Sequence, residues 1–226
     1  MLSNFIVKSC SDFMMDDGRL SPLDKTEILS NHLGGSTILV TQDPYLVYVL
    51  QGRKTDENAT KLAPTGSGSF DWRDMDEKNG TPFLSFVTSE IERELIEEVG
   101  VPNRTKMVTY LVGFTRYLYR NGKPEFMAIT LADLSFSALE VRYSERRFIN
   151  KRLKSFSVSG TKRSHVLDAL NSFERALKNG KLKSGEKIGT ASSPLLANVY
   201  LAKRFLTEDI RLKQDDFVSS FFEDRS

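Results

Sequence analysis

With 226 residues, 39% of them hydrophobic and 27% charged, the chain can bury one substantial core, or one core with a small appendage, and has the make-up of an ordinary globular protein. Its 32 Lys and Arg nearly balance 30 Asp and Glu, and a formal charge of +2 excludes strong polyelectrolyte character. No apolar run approaches the roughly 18 residues of a membrane span, and Cys10, the only cysteine, cannot form an intrachain disulfide.

In chain order, Ser21-Pro22-x-Asp24 reads as an N-cap, a proline at the first helical position and an acidic first turn. The helix runs to about His32 and stops at Gly34-Gly35. Thr37–Thr41 and Tyr45–Leu50 are β-rich runs joined by Gln42-Asp43-Pro44, a hairpin pattern. Arg53 to Thr60 is polar and reads as a loop. Lys61-Leu62-Ala63 then leads into the glycine loop Pro64-Thr65-Gly66-Ser67-Gly68-Ser69. Gly66 and Gly68 would let backbone N–H groups approach a phosphate closely, or simply make a turn. Phe70 to Phe83 reads as an insertion carrying Asp71, Trp72, Arg73, Asp74 and Asp76, with Trp72 either stacking on a base or plugging the core.

The next helix carries the strongest signal. Leu84, Ile91, Leu95 and Val99 recur at helical spacing, and Gly100 stops the helix where a left-handed residue is favoured. Glu90, Glu94, Glu97 and Glu98 fall on another stripe, expected to face a cleft or water. Like charges one turn apart destabilise a helix, so such a stack is either a solvated acidic face or a site for a cation. Oxygen-only ligands suit a hard ion such as Mg²⁺. Arg93, one turn before Glu97, can pair with it.

Met107 to Tyr119 reads as one or two strands. Asn121-Gly122 is a turn, and Glu125 to Leu131 the partner strand with Pro124 at its entry. Glu125 is placed to reach the site from another strand. From Arg142 to Arg163 the chain is basic (Arg142, Arg146, Arg147, Lys151, Arg152, Lys154, Lys162, Arg163) with Glu145 the only acid. This is a solvated surface or a face for phosphate or RNA, though aromatic residues are not interleaved as single-strand stacking requires. Thr161–Leu177 and Pro194–Leu212 are helical, the second with Ser193 as N-cap, and Asn179–Ser193 is a loop. These helices are expected to pack on the sheet or to form a homodimer surface. His32 and His165 lack ligand spacing and read as surface or packing residues.

Arg93-Glu94-Leu95-x-Glu97-Glu98-x-Gly100-Val101 resembles the second half of the Nudix box, G-x5-E-x7-R-E-U-x-E-E-x-G-U with U a bulky aliphatic. All seven specified positions of this nine-residue string match. The first half departs from the pattern. Ser85 stands where the box has Glu, Asn79 where it has Gly, and the glycine loop is displaced upstream. The resemblance spans about Gly35 to Leu134.

It implies a Nudix-like α/β/α sandwich with a mixed sheet, to which the chain adds an N-terminal helix and C-terminal helices. The expected division is an N-terminal helical extension over 1–34, a Nudix-like core over 35–150 and a C-terminal helical region, packed on the core, over 151–226. It further implies a hydrolase dependent on Mg²⁺ or Mn²⁺, and the lone Cys10 fits a cytoplasmic setting. This would cleave a diphosphate bond in a nucleoside diphosphate linked to another group, a small-molecule nucleotide. Glu94, Glu97 and Glu98 would bind metal, with Glu90 a possible addition. Glu97, Glu98 and Arg93 would be catalytic, Arg93 by orienting the glutamates and one of Glu94, Glu97 and Glu98 as base. Gly66 and Gly68 would hold phosphate. Two other functions fit the sequence: a nucleotide or ADP-ribose sensor without turnover, and an RNA 5′-end pyrophosphohydrolase using the basic run.

Overall fold

A computed structural model describes residues 32–52, 60–70, 82–117, 120, 122–141, 152–160 and 162–208. The expected N-terminal helix, the insertion with Trp72 and the basic run up to Lys151 lie outside these residues.

Seven strands form one mixed sheet. They are β1 (Gly34–Thr41), β2 (Tyr45–Leu50), β3 (Leu62–Ala63), β4 (Gly66–Ser69), β5 (Met107–Tyr117), β6 (Lys123–Ala132) and β7 (Arg152–Ser157). The central strand is β1. It runs parallel to β6 from Gly34↔Glu125 to Thr41↔Ala132, and antiparallel to β2 and β4. A strand covered on both faces reads as a continuous buried run, and every residue of β1 is buried. Gly34-Gly35 therefore opens a strand; the pair was expected to end a helix. β5 and β6 form the expected hairpin, with Gly122 at φ +68°.

Alternation along the strands sends side chains to two layers. Leu39, Val47, Val49 and Ala132 meet helix α1 (Phe83–Val99) through Leu95 and Val99, while Ala128 meets Val87 and Ile91. Ile38, Val40, Leu46, Tyr48, Ile129 and Leu131 face the other way. They pack on α2 (Arg163–Asn179) and α3 (Ser193–Glu208) through Val166, Leu170, Phe173, Leu195 and Val199. The α/β/α expectation holds, and the C-terminal helices lie on the sheet.

Local differences have local causes. Leu84, assigned to the apolar stripe of α1, is exposed; Phe86 and Val87 take that part of the core. Gly100 ends the helix at φ +70° as expected. The N-cap of α3 is Ser192, one residue before the predicted Ser193: its Oγ accepts the Leu195 N–H at 3.3 Å. β7 lies within a stretch read as helical. It pairs with β2 from Tyr45↔Ser157 to Leu50↔Arg152. Its two large apolar residues serve opposite faces, Leu153 the α1 layer and Phe156 the α2 layer, so no period of two marks it.

A polar thread runs beneath α1. Glu92 accepts the Thr109 hydroxyl at 2.7 Å, Thr109 meets Thr130 at 3.0 Å, and Thr130 meets Thr37 at 2.9 Å. These bonds satisfy hydroxyls that the sheet buries.

Candidate active site

The site is built from α1 and β4. Pro64–Ser69 was expected to be a loop; instead Gly66–Ser69 is a strand, registered against β1 from Gly34↔Ser69 to Thr37↔Gly66. The glycines explain how α1 lies so close. A Cβ on Gly66 would sit 3.0 Å from Leu95 Cδ2, and one on Gly68 would sit 2.1 Å from the Glu94 carboxyl carbon. Bare glycine faces thus bring the acids of α1 against β4.

That approach covers half of the acidic stripe. Glu90 and Glu94 are buried, Glu98 is half-buried and Glu97 is exposed. The expectation that all four face a cleft or water is corrected for the first two, because β4 rolls over that edge of the helix.

Arg93 is the hub of the cluster. It grips Glu90 with two bonds, Nε to Oε1 at 3.2 Å and Nη2 to Oε2 at 3.0 Å. It also donates to Glu94 at 3.0 Å and to Glu97 at 2.7 Å. The sequence has Arg93 orient the glutamates, with a pair to Glu97 as the plain alternative, and gives Glu90 no fixed partner. Such bidentate, charge-assisted contacts fix orientation. The bonds to Glu90 and the surrounding carboxylates push the guanidinium pKa upward. Glu98 turns instead to β4, accepting the Ser67 N–H at 2.8 Å.

Glu94 is the perturbed acid. Burial, and then the charge of Glu98, push it up to about 7 against the opposing pull of Arg93. Three carboxylates share one guanidinium here with a fourth, Glu98, close by, and Glu94 is the one whose pKa is raised to about 7. That donor set, all oxygen and in negative excess, fits a hard divalent cation. Among the described residues no three acids are already gathered as a metal cluster. Glu94 and Glu97 are turned to Arg93 and Glu98 to Ser67, so a cation would have to draw them together.

Glu125 does not join this cluster. By alternation it lies on the α3 side of the sheet, where it accepts the Ser36 hydroxyl. Burial pushes its pKa up, against the lowering effect of the Ser36 bond, Lys123 and Arg120. It lines a small polar pocket of about 230 Å³ with Ser36, Ser67, Lys123, Arg120 and Ser192. β4 is the shared wall: Ser67 lines the pocket while its N–H holds Glu98. Sequence reasoning missed Ser36, Lys123 and Arg120, for only the parallel β1–β6 pairing carries Glu125 to within reach of Ser36.

Other candidates sit elsewhere. Ser85 is exposed in the first turn of α1. His32 is exposed and His165 packs against Gly160, both as expected. In the described part of the basic run, Arg152 and Lys154 lie on β7, and Arg163 ties α2 to α3 through the Leu206 carbonyl at 2.7 Å.

No family model and no curated protein matches the sequence. Among solved structures, the fold is similar to a Nudix-family hydrolase from Clostridium perfringens at 14% identity, covering 79% of this chain and 98% of that one with a TM-score of 0.44. It is also similar to a MutT protein from Methanosarcina mazei Go1 (10% identity, 79% and 97% coverage, TM-score 0.46). A third is the Nudix hydrolase RenU from M. smegmatis (10% identity, 89% and 96% coverage, TM-score 0.45). These are likenesses of fold, and function rests on the residues of this chain.

Proposed function

We propose that the chain is a hydrolase dependent on Mg²⁺ or Mn²⁺ that cleaves a diphosphate bond in a nucleoside diphosphate linked to another group. One observation carries the reading. The Arg-Glu-Leu-x-Glu-Glu-x-Gly-Val string (Arg93–Val101) forms an acidic cluster organised by Arg93 and pressed against a glycine-bearing strand.

Glu94, Glu97 and Glu98 would hold the metal. When bound, it would act as a Lewis acid on a phosphoryl oxygen and lower the pKa of a coordinated water. The chain supplies the rest. Arg93 holds Glu94 and Glu97 in place through its own ion pairs. The Ser67 N–H, now given to Glu98, would be free to donate to a phosphate oxygen if Glu98 served a cation instead. Lys123 and Arg120 bring positive charge to the pocket across β4, which suits the anionic remainder of such a substrate. A proton and a cation compete for Glu94, whose pKa is about 7.

The test is a screen of nucleoside triphosphates, ADP-ribose, dinucleoside polyphosphates and nucleotide sugars with Mg²⁺ or Mn²⁺, comparing wild type with Glu97→Gln and Glu98→Gln. At least one variant loses about 10²–10⁴-fold in turnover, as expected for removal of a base or metal ligand. That equals roughly 3–5 kcal/mol of barrier. Unchanged turnover in both variants would refute the assignment.

A second reading is a nucleotide sensor. The exposed Ser85 in place of the box acid, and acids already held by Arg93, favour it. It requires ligand binding with no metal-dependent turnover.

A further inference from the structure

We propose that the chain has a second ligand site, separate from the acids of α1, that binds a small amphipathic anion: an apolar body bearing one phosphate or carboxylate head. The site is a cavity of about 750 Å³ between the edge of β7, the C-terminal half of α2 and the turn that follows it.

Three observations converge. The first is size. The hollow is open to solvent, and its volume falls in the range of small-molecule sites. It lies on the α2 side of the sheet, opposite α1.

The second is chemistry. Phe156, Ala176 and Leu182 give apolar wall. Phe156 is anchored from behind by Phe173 at 5.4 Å between ring centres. Arg175, Lys181 and Lys183 stand at the rim, and no described lining residue is acidic. An anionic head could take charge-assisted hydrogen bonds from these cations. Arg175 is steadied by Ser172 Oγ at 3.2 Å.

The third is preorganisation. The turn is fastened to α2 by the Lys181 N–H on the Ala176 carbonyl at 3.2 Å, and closed on itself by the Leu182 N–H on the Glu186 carbonyl at 2.8 Å. Among the described residues β7 pairs with β2 alone, so its outer edge faces the cavity through Ser155, Phe156 and Ser157. Edge N–H groups add donors for an anionic head.

Anilinonaphthalene sulfonate, an aromatic body with one anionic head, tests this as a fluorescent probe. We expect saturable binding of one molecule per chain. The double variant Arg175→Glu/Lys183→Glu should weaken it at least about tenfold, as for loss of a charge-assisted contact. Both side chains are exposed, so folding should survive, with circular dichroism as the check. Ser172→Trp, which fills the cavity from α2, is the second variant and should also abolish binding. Glu98→Gln should bind as wild type does, which separates this site from the proposed active site.

Competitors then distinguish the ligand's body. Displacement by AMP indicates an aromatic one and displacement by dodecyl phosphate an aliphatic one, with inorganic phosphate as the control lacking a body. Either displacement supports the site. Binding that persists in both rim and cavity variants, or that is lost instead in Phe114→Ser on the exposed aromatic patch near α1, overturns it. So does displacement by neither amphiphile.

Discussion

Glu94 shows how much one residue's surroundings can reverse its usual behaviour. Its folded pKa of about 7 lies above the ordinary value of 4.5. Below pH 4.5 it is protonated in both folded and unfolded chains, and nothing is lost. As pH rises towards 7 the unfolded chain releases a proton that the native state retains, so stability falls across that window and levels off above it. Urea unfolding midpoints should therefore drop between pH 5 and pH 8, and Glu94→Gln should remove most of that drop. Added Mg²⁺ at pH 8 should raise the wild-type midpoint, since a ligand of the native state stabilises it. It should leave that of Glu94→Gln nearly unmoved. The sequence placed Glu94 on the acidic stripe. Its burial was not legible, because it depends on Gly68 having no side chain, and a chain 26 residues away in sequence supplies that space.

At the scale of elements, α1 was the most legible part of the chain and was still rotated in one respect. The spacing of Ile91, Leu95 and Val99 fixed its core face, and Gly100 fixed its end. Leu84 fitted the same periodicity but lies in the first turn, beyond the edge of the sheet, and is 59% exposed. Leu95→Ala should cost about 2–5 kcal/mol, as for a leucine removed from a packed interior. Leu84→Ser should stay within about 0.5 kcal/mol. Thermal or denaturant unfolding of the two variants measures both. β4 and β7 were the illegible elements. Gly66-Ser67-Gly68-Ser69 carries no apolar alternation; it is a strand because β1 supplies its hydrogen bonds and α1 covers it. Local composition there favours a turn, and tertiary pairing overrides it.

The whole molecule depends on both helical layers. Six sheet residues, Ile38, Val40, Leu46, Tyr48, Ile129 and Leu131, are buried under α2 and α3. At about 1.5–3 kcal/mol for each large apolar side chain, exposing them would cost as much as the roughly 5–15 kcal/mol by which domains are stable. A chain ending at Gly160 should therefore lose cooperative unfolding and near-ultraviolet dichroism, whereas the full chain keeps both. Residues 152–208 add an edge strand and a covering layer to the same sheet.

The sequence by itself determined the α/β class, the β1–β2 and β5–β6 hairpins, the acidic helix with its stop, and the chemical character of that helix, because each rests on periodicity or turn chemistry within a few neighbouring residues. Only the tertiary structure decided which glutamates are buried, that Arg93 gathers three of them, that Glu125 serves a separate pocket, and that a cationic cavity opens beside β7. Those outcomes depend on strands paired and layers packed across long separations in the chain, where burial and charge are set by neighbours that no local pattern records.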